Sequence, residues 1–317
     1  MIATVLIAMA AGFASALMFA SIISGALISV LLVYLAPLPL MVAALGWGPL
    51  GATIGGIAAA TALGAIFSLP YCMAFVVAVA LPAWWLGHLA LLGRPLAAGS
   101  APGNDDAALE WYPVGRILIW IVVFATITTT AILLTMGFDA PTIQDTMRSA
   151  WTHLLEPAGA KLSDRMLDAL VTIAPTAACT VIAMALTLNL WLAAKITATS
   201  RRLHRPWPDL KSTALPPLTL AGLCVAIAFC FSGGLLAIVA QIVTAALMIA
   251  YMLTGFAVLH TLTLALKSRA LWLGCTYLIV VVFAWAVLAI AILGIADAVF
   301  ELRQRFLRRR PPPLPAS

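Results

Sequence analysis

Residues 1–93 read MIATVLIAMAAGFASALMFASIISGALISVLLVYLAPLPLMVAALGWGPLGATIGGIAAATALGAIFSLPYCMAFVVAVALPAWWLGHLALLG, without a single Asp, Glu, Lys or Arg. As one helix this stretch would be about 140 Å long, against a hydrocarbon layer of about 30 Å. It must therefore fold back on itself several times within lipid. Four spans fit: 2–20, 23–46 with Pro37 and Pro39 inside it, 49–68, and 70–92, the last two parted by the Leu69-Pro70 step.

The remainder of the chain agrees with its beginning. It is 64% hydrophobic and 9% charged, with a mean hydropathy of +1.12, where soluble domains carry about 25% charge. Apolar runs closed by charged clusters predict helices, because a barrel would show short alternating segments instead. Further spans are expected at 113–137, 167–194, 214–231, 235–264 and 271–293. The fold class is all-α, a polytopic transmembrane helical bundle of about eight spans, within about seven to ten. A transmembrane domain covers 1–300, with an interfacial or outer segment at 138–165 and a basic cytoplasmic loop at 195–213. A basic, proline-rich tail of 301–317 follows, disordered at its end. Met1 is followed by Ile2, Ala3 and Thr4 with no basic residues, so no cleaved signal peptide is expected and the first helix stays.

The net charge is +6, and most basic residues lie between Lys195 and Lys211 or between Lys267 and Arg310. By the positive-inside rule these patches belong on the cytoplasmic side of a bacterial inner membrane, against anionic headgroups. Both termini are expected in the cytoplasm, although three C-terminal spans would place the arginine-rich tail on the opposite side. Nucleic-acid binding is not expected, since nothing around the patches would present them to a groove. Cys72, Cys179, Cys224, Cys230 and Cys275 sit in apolar segments without CxxC spacing, as small buried hydrophobes do.

Chemistry-bearing signatures are few. There is no HExxH, P-loop, GxSxG or histidine–cysteine cluster, so neither an enzyme, a metal nor a cofactor is expected. Any ATP-derived energy would have to come from a partner. The polar residues at membrane depth are His88, Asn189, Gln241, His260 and Tyr277, with Asp297 near an interface. His88, beside Trp84 and Trp85, and His260, just before Lys267, read as headgroup contacts. Asn189 suits an interhelical hydrogen bond. Asp297 suits neutralisation by an arginine of the tail such as Arg303. Gln241, Asn189 and Trp151 are the candidates for contact with a small solute.

Small residues recur every four positions at Ala8, Gly12, Ala16, Ala20 and Ser24, and again from Ala44 through Gly48, Ala52, Gly56, Ala60 and Gly64 to Ser68. Such stripes let helix backbones approach closely in lipid. They serve either packing within the chain or docking of another membrane protein on Ala8, Gly12, Ala16 and Ala20.

Four local strings carry a resemblance: Asn189-Leu-Trp-Leu-Ala-Ala-Lys195, Arg205-Pro-Trp-Pro-Asp209, Gly255 to His260, and Gly294-Ile-Ala-Asp297 ahead of the basic tail. Together they resemble the DUF2232 or YybS-like family of bacterial integral membrane proteins. That family distantly resembles the substrate-binding S components of energy-coupling-factor vitamin importers. Such components bind a vitamin near the outer face and dock on a membrane coupling subunit joined to ATPases. The resemblance implies a solute-binding transporter component without its own ATPase, its Ala8–Ala20 stripe facing the coupling subunit. It transfers no ligand site, because this chain has extra spans and lacks a vitamin-specific pattern. Self-association, or a scaffold or envelope-assembly role through the basic loop and tail, is the alternative.

Overall fold

The break points of the charge-free region are set by proline and glycine. In the computed structural model, which describes residues 2–95, 109–156, 163–209, 213–283 and 285–308, α1 covers Ile2–Ala20. The expected second span is two helices, α2 (Leu27–Leu35) and α3 (Pro37–Trp47). Pro37 and Pro39 remove two amide donors, so the chain steps at Ala36. Gly48, at φ +89°, then turns the chain into α4 (Pro49–Ile66), a conformation L side chains disfavour. The long small-residue stripe from Ala44 to Ser68 is therefore cut at Gly48 and is not one groove. The next span is α5 (Leu69–Phe75) and α6 (Leu81–Leu91), joined by one π-helical turn at Val76–Ala80. Pro82 cannot donate to the carbonyl four residues back, and a widened turn absorbs that defect.

The segment after residue 92, expected as loop, contains a short antiparallel pair, β1 (Gly93–Pro95) with β2 (Leu109–Trp111). An exposed Arg94–Glu110 ion pair of 2.6 Å lies across it. Helix α7 covers Val114–Leu134. The polar segment that follows forms α8 (Ala140–Leu155), docked through buried Ile143 and Met147. Asp139 caps α8: its carboxylate accepts the Thr142 amide at 3.0 Å and the Thr142 hydroxyl at 2.8 Å. The Thr142 amide, more than its hydroxyl, holds the Asp139 carboxyl below its ordinary value. The cap's stabilisation is thus complete above the unfolded-state value of about 3.9 and is lost only as pH falls through the lower folded value. Exchange protection of the Thr142 amide, relative to the rest of α8, should persist through about pH 4 and collapse below it; Asp139→Ala should remove it at every pH. Helix α9 (Asp164–Thr199) is long enough to continue past the expected 167–194 at both ends.

The chain forms two compact units, residues 1–208 and 209–317. Their boundary falls in the proline-containing loop that the sequence reading placed inside one continuous domain. The second unit holds α10 (Leu218–Phe229), α11 (Gly234–Leu262), α12 (Arg269–Val282), α13 (Trp285–Phe300) and α14 (Leu302–Arg308). The single span expected at 271–293 is thus two helices, and the basic part of the tail, ahead of its proline-rich end, is helical over Leu302–Arg308. The proline-rich end, 311–317, lies outside the described residues. Among the described residues, seven helical segments are long and apolar enough to cross a membrane: 2–24, 27–47, 49–66, 69–91, 114–134, 164–199 and 234–262. The helices at 218–229, 269–282 and 285–300 are apolar but shorter.

Packing follows the logic of lipid, with small residues inside and large apolar ones outward. In the first unit Ala8 and Ala59 are buried while Leu6 and Leu17 are exposed. A Cβ on Gly12 would stand 2.1 Å from the Gly55 carbonyl oxygen, and one on Gly55 would stand 2.3 Å from that of Ala8. The face of Ala8, Gly12 and Ala16 is therefore covered by α4 of the same chain. This corrects the docking expectation: those three are buried and only Ala20, half-buried, sits at the margin. In the second unit α11 and α13 run antiparallel in equally close contact. A Cβ on Gly255 would lie 2.0 Å from the Ile290 carbonyl oxygen, and one on Gly294 2.1 Å from that of Tyr251.

Candidate functional site

Three polar constellations stand out against this apolar background. The first lies along the seam between α7 and α9. Helix α9 presents a buried stripe of Pro175, Cys179, Ala183, Leu186 and Asn189, recurring every three to four residues. Helix α7, packed against it, carries Thr126, Thr128, Thr129 and Thr130, whose hydroxyls are all buried and make no hydrogen bond to oxygen or nitrogen among the described residues. Helical threonines ordinarily return their hydroxyl to a carbonyl three or four residues back. Those at Thr172, Thr187 and Thr197 do so, each at 2.8 Å. The α7 hydroxyls make no such bond. The Cys179 thiol faces Thr126 and Thr129 and is a weak hydrogen-bonding partner for both hydroxyls. Further along, Asn189 is fully buried and donates its amide nitrogen to the Tyr34 carbonyl at 2.7 Å, beside the Pro37 step. The expected interhelical bond is present, but the Asn189 amide oxygen remains without a partner. Residues 117–134 and 169–194 contain no Asp, Glu, Lys, Arg or His, so the seam is polar yet uncharged.

The second constellation is the basic loop at the end of α9. Lys195 Nζ lies 4.5 Å from the Trp207 ring centroid, and the Arg202 guanidinium lies 4.7 Å from that of Trp47. Arg205 is half-buried and donates to the Ala90 carbonyl at 3.2 Å, in the last turn of α6. Burial pushes the Arg205 guanidinium below its ordinary value, still far above neutrality. Trp207 thus seats a lysine.

The third lies in the second unit. Asp297, buried on α13, accepts the Arg303 amide at 2.9 Å and the Arg303 guanidinium at 2.8 and 2.7 Å. The anticipated pairing is present, made possible by a left-handed residue, Glu301 at φ +53°, between α13 and α14. At the end of α11, His260 Nε2 lies 2.8 Å from the Tyr277 hydroxyl, and Arg269 lies 3.5 Å from His260 Nδ1. His260 is thus occupied within the protein, rather than turned solely to headgroups. His88 likewise stacks on Trp84 at 6.1 Å between ring centroids.

The two candidate solute contacts of the first unit, Trp151 and Asn189, do not converge, and the third belongs to the second unit. Gln241 is half-buried on α11 in the second unit. Trp151 is half-buried on α8, three residues beyond Arg148, which pairs with Asp168. Asn189 stands 21 residues past Asp168 on α9, a rise of about 32 Å. The α7 threonines were not singled out by sequence; the run Thr126-Ile-Thr-Thr-Thr130 inside an apolar span was the available signal. Among the described residues, no three His, Cys, Asp or Glu side chains group as a metal site.

An all-α bundle with several membrane-length helices and polar groups buried between them defines a multi-pass integral membrane protein. The chain belongs to the family described as predicted membrane protein (DUF2232), whose model matches residues 12–298. No curated protein and no solved structure matches it.

Proposed function

We propose that the protein binds a small, uncharged, hydrogen-bonding solute in its first unit, as a transporter component that draws its energy from a partner. The buried hydroxyls of α7, which meet at most the Cys179 thiol among the described residues, carry this reading, extended along α9 by the Asn189 amide oxygen. Leaving such groups unsatisfied costs about 1–3 kcal/mol each, a cost a bound polar molecule would offset. The uncharged seam disfavours an ionic solute, because an unpaired ion brought out of water costs several kcal/mol. The protein is non-enzymatic in this reading and resides in the bacterial inner membrane. The basic end of the first unit faces the cytoplasm under the positive-inside rule, and both termini lie on that side.

Mild-detergent purification followed by partner identification tests the energy source. Recovery of a coupling subunit with ATPases supports the reading; recovery only of envelope-assembly proteins favours the scaffold alternative, which the cations of the 195–208 loop would serve. Stability separates a ligand-binding hydroxyl from a structural one. Thr129→Val is isosteric and removes a hydroxyl that meets only the weakly bonding Cys179 thiol among the described residues, at a site only 2% exposed. It should leave solute-free protein as stable as wild type or up to about 1 kcal/mol more so in thermal unfolding. A loss of more than about 1 kcal/mol would mean the hydroxyl already has a structural partner.

A further inference from the structure

We propose that the loop at the end of α9 is a built binding site for the phosphate-bearing headgroup of an anionic phospholipid, centred on Arg205. Residues 195–208 hold Lys195, Arg201, Arg202 and Arg205 and no acidic residue. Among the described residues the ion pairs are Arg94–Glu110, Arg148–Asp168, His153–Glu156 and Asp297–Arg303. None of the four loop cations takes part in one, and Asp209, the next carboxylate along the chain, already has a partner.

Arg205 makes the argument specific. A solvated surface arginine needs no counter-ion, but a half-buried one has surrendered part of its hydration. The Ala90 carbonyl answers one of its five donors, and the helix end supplies about half an opposing charge. The remaining fork is matched in shape to two phosphate oxygens. The flanking cations are held in place rather than free, Arg202 over Trp47 and Lys195 over Trp207. A Cβ on Gly46 would meet Thr197 at 3.4 Å and Arg202 at 3.9 Å, so the loop is seated on the end of α3. Tryptophan rings favour the headgroup level of a bilayer, which places the unpaired charges at phosphate depth. That placement selects a lipid headgroup over a phosphate free in water.

Native mass spectrometry after extraction from membranes, then exchange against phosphatidylcholine with and without phosphatidylglycerol, tests this. Wild type should retain phosphatidylglycerol through mild detergent exchange. Arg205→Gln should weaken retention about tenfold, the effect of losing a bidentate charged contact. Arg308→Gln removes the same charge in the second unit and should retain lipid as wild type does. If Arg205→Gln does not fold, Arg202→Gln, with its exposed side chain, should show reduced retention instead. Equal retention by wild type and the loop variant would overturn the proposal. So would displacement of the lipid by inorganic phosphate at millimolar concentration, which would mark a site for the free anion.

Discussion

Asp297→Ala is expected to destabilise the second unit by about 3–5 kcal/mol, because it removes the carboxylate that neutralises a guanidinium with little access to water. The Asp297 and Arg303 side chains are only 8% and 10% exposed, and the carboxylate answers both the Arg303 amide and its guanidinium. Removing it takes away the counter-ion and the group that spans the reversal at Glu301, so α14 should also come loose. Trp285, at the start of α13, offers a fluorescence reporter for denaturant titration. The double variant Asp297→Leu with Arg303→Met should recover most of the loss, since replacing both ions by apolar groups is often neutral or stabilising. A single variant as stable as wild type would show that the pair is not what secures the end of the chain.

Gly255→Leu should be as damaging through geometry alone. Even a methyl group there would lie 2.0 Å from the Ile290 carbonyl oxygen, a backbone atom that cannot rotate aside. Helices α11 and α13 would have to separate along the line that includes Gly294. Overpacking of flexible cores costs about 1–3 kcal/mol, and an obstruction by backbone should reach or exceed the top of that range. Gly222→Ala on α10 is the control with opposite sign: nothing lies within 4 Å of its Cβ position. Helix propensity should make that change stabilising by up to about 1 kcal/mol. Thermal unfolding in one detergent compares the two, and equal stabilities for Gly255→Leu and wild type would contradict the close α11–α13 contact.

The helical architecture was legible because lipid leaves a 93-residue uncharged run no other solution, and because prolines and glycines mark most of its breaks. The break between α12 and α13 was not legible. It falls among Val281, Val282, Phe283 and Trp285, where hydropathy continues without Gly or Pro. The partner of the Ala8–Gly12 stripe was equally hidden, since spacing shows that a helix can approach closely but not which one. Asp297 and Arg303 illustrate the reverse. Six residues apart on a continuous helix they would lie about 240° from each other around the axis; the need to neutralise charge pointed to the pair, and the left-handed Glu301 supplies the route. The α7 threonines carry no sequence mark because hydroxyls in a membrane helix usually satisfy themselves locally, and only the fold shows that these do not.

Whether the hydroxyl seam holds a molecule is tested directly by small-molecule mass spectrometry of material released by denaturing the purified protein. Wild type is predicted to release an uncharged, hydrogen-bonding solute in near-stoichiometric amount. The folded Thr126→Val/Thr129→Val double variant is predicted to release at least about tenfold less, as expected when a site built to hydrogen-bond its ligand loses those groups. Identical release from both proteins, or no solute from wild type purified directly from its native membrane, would contradict the account.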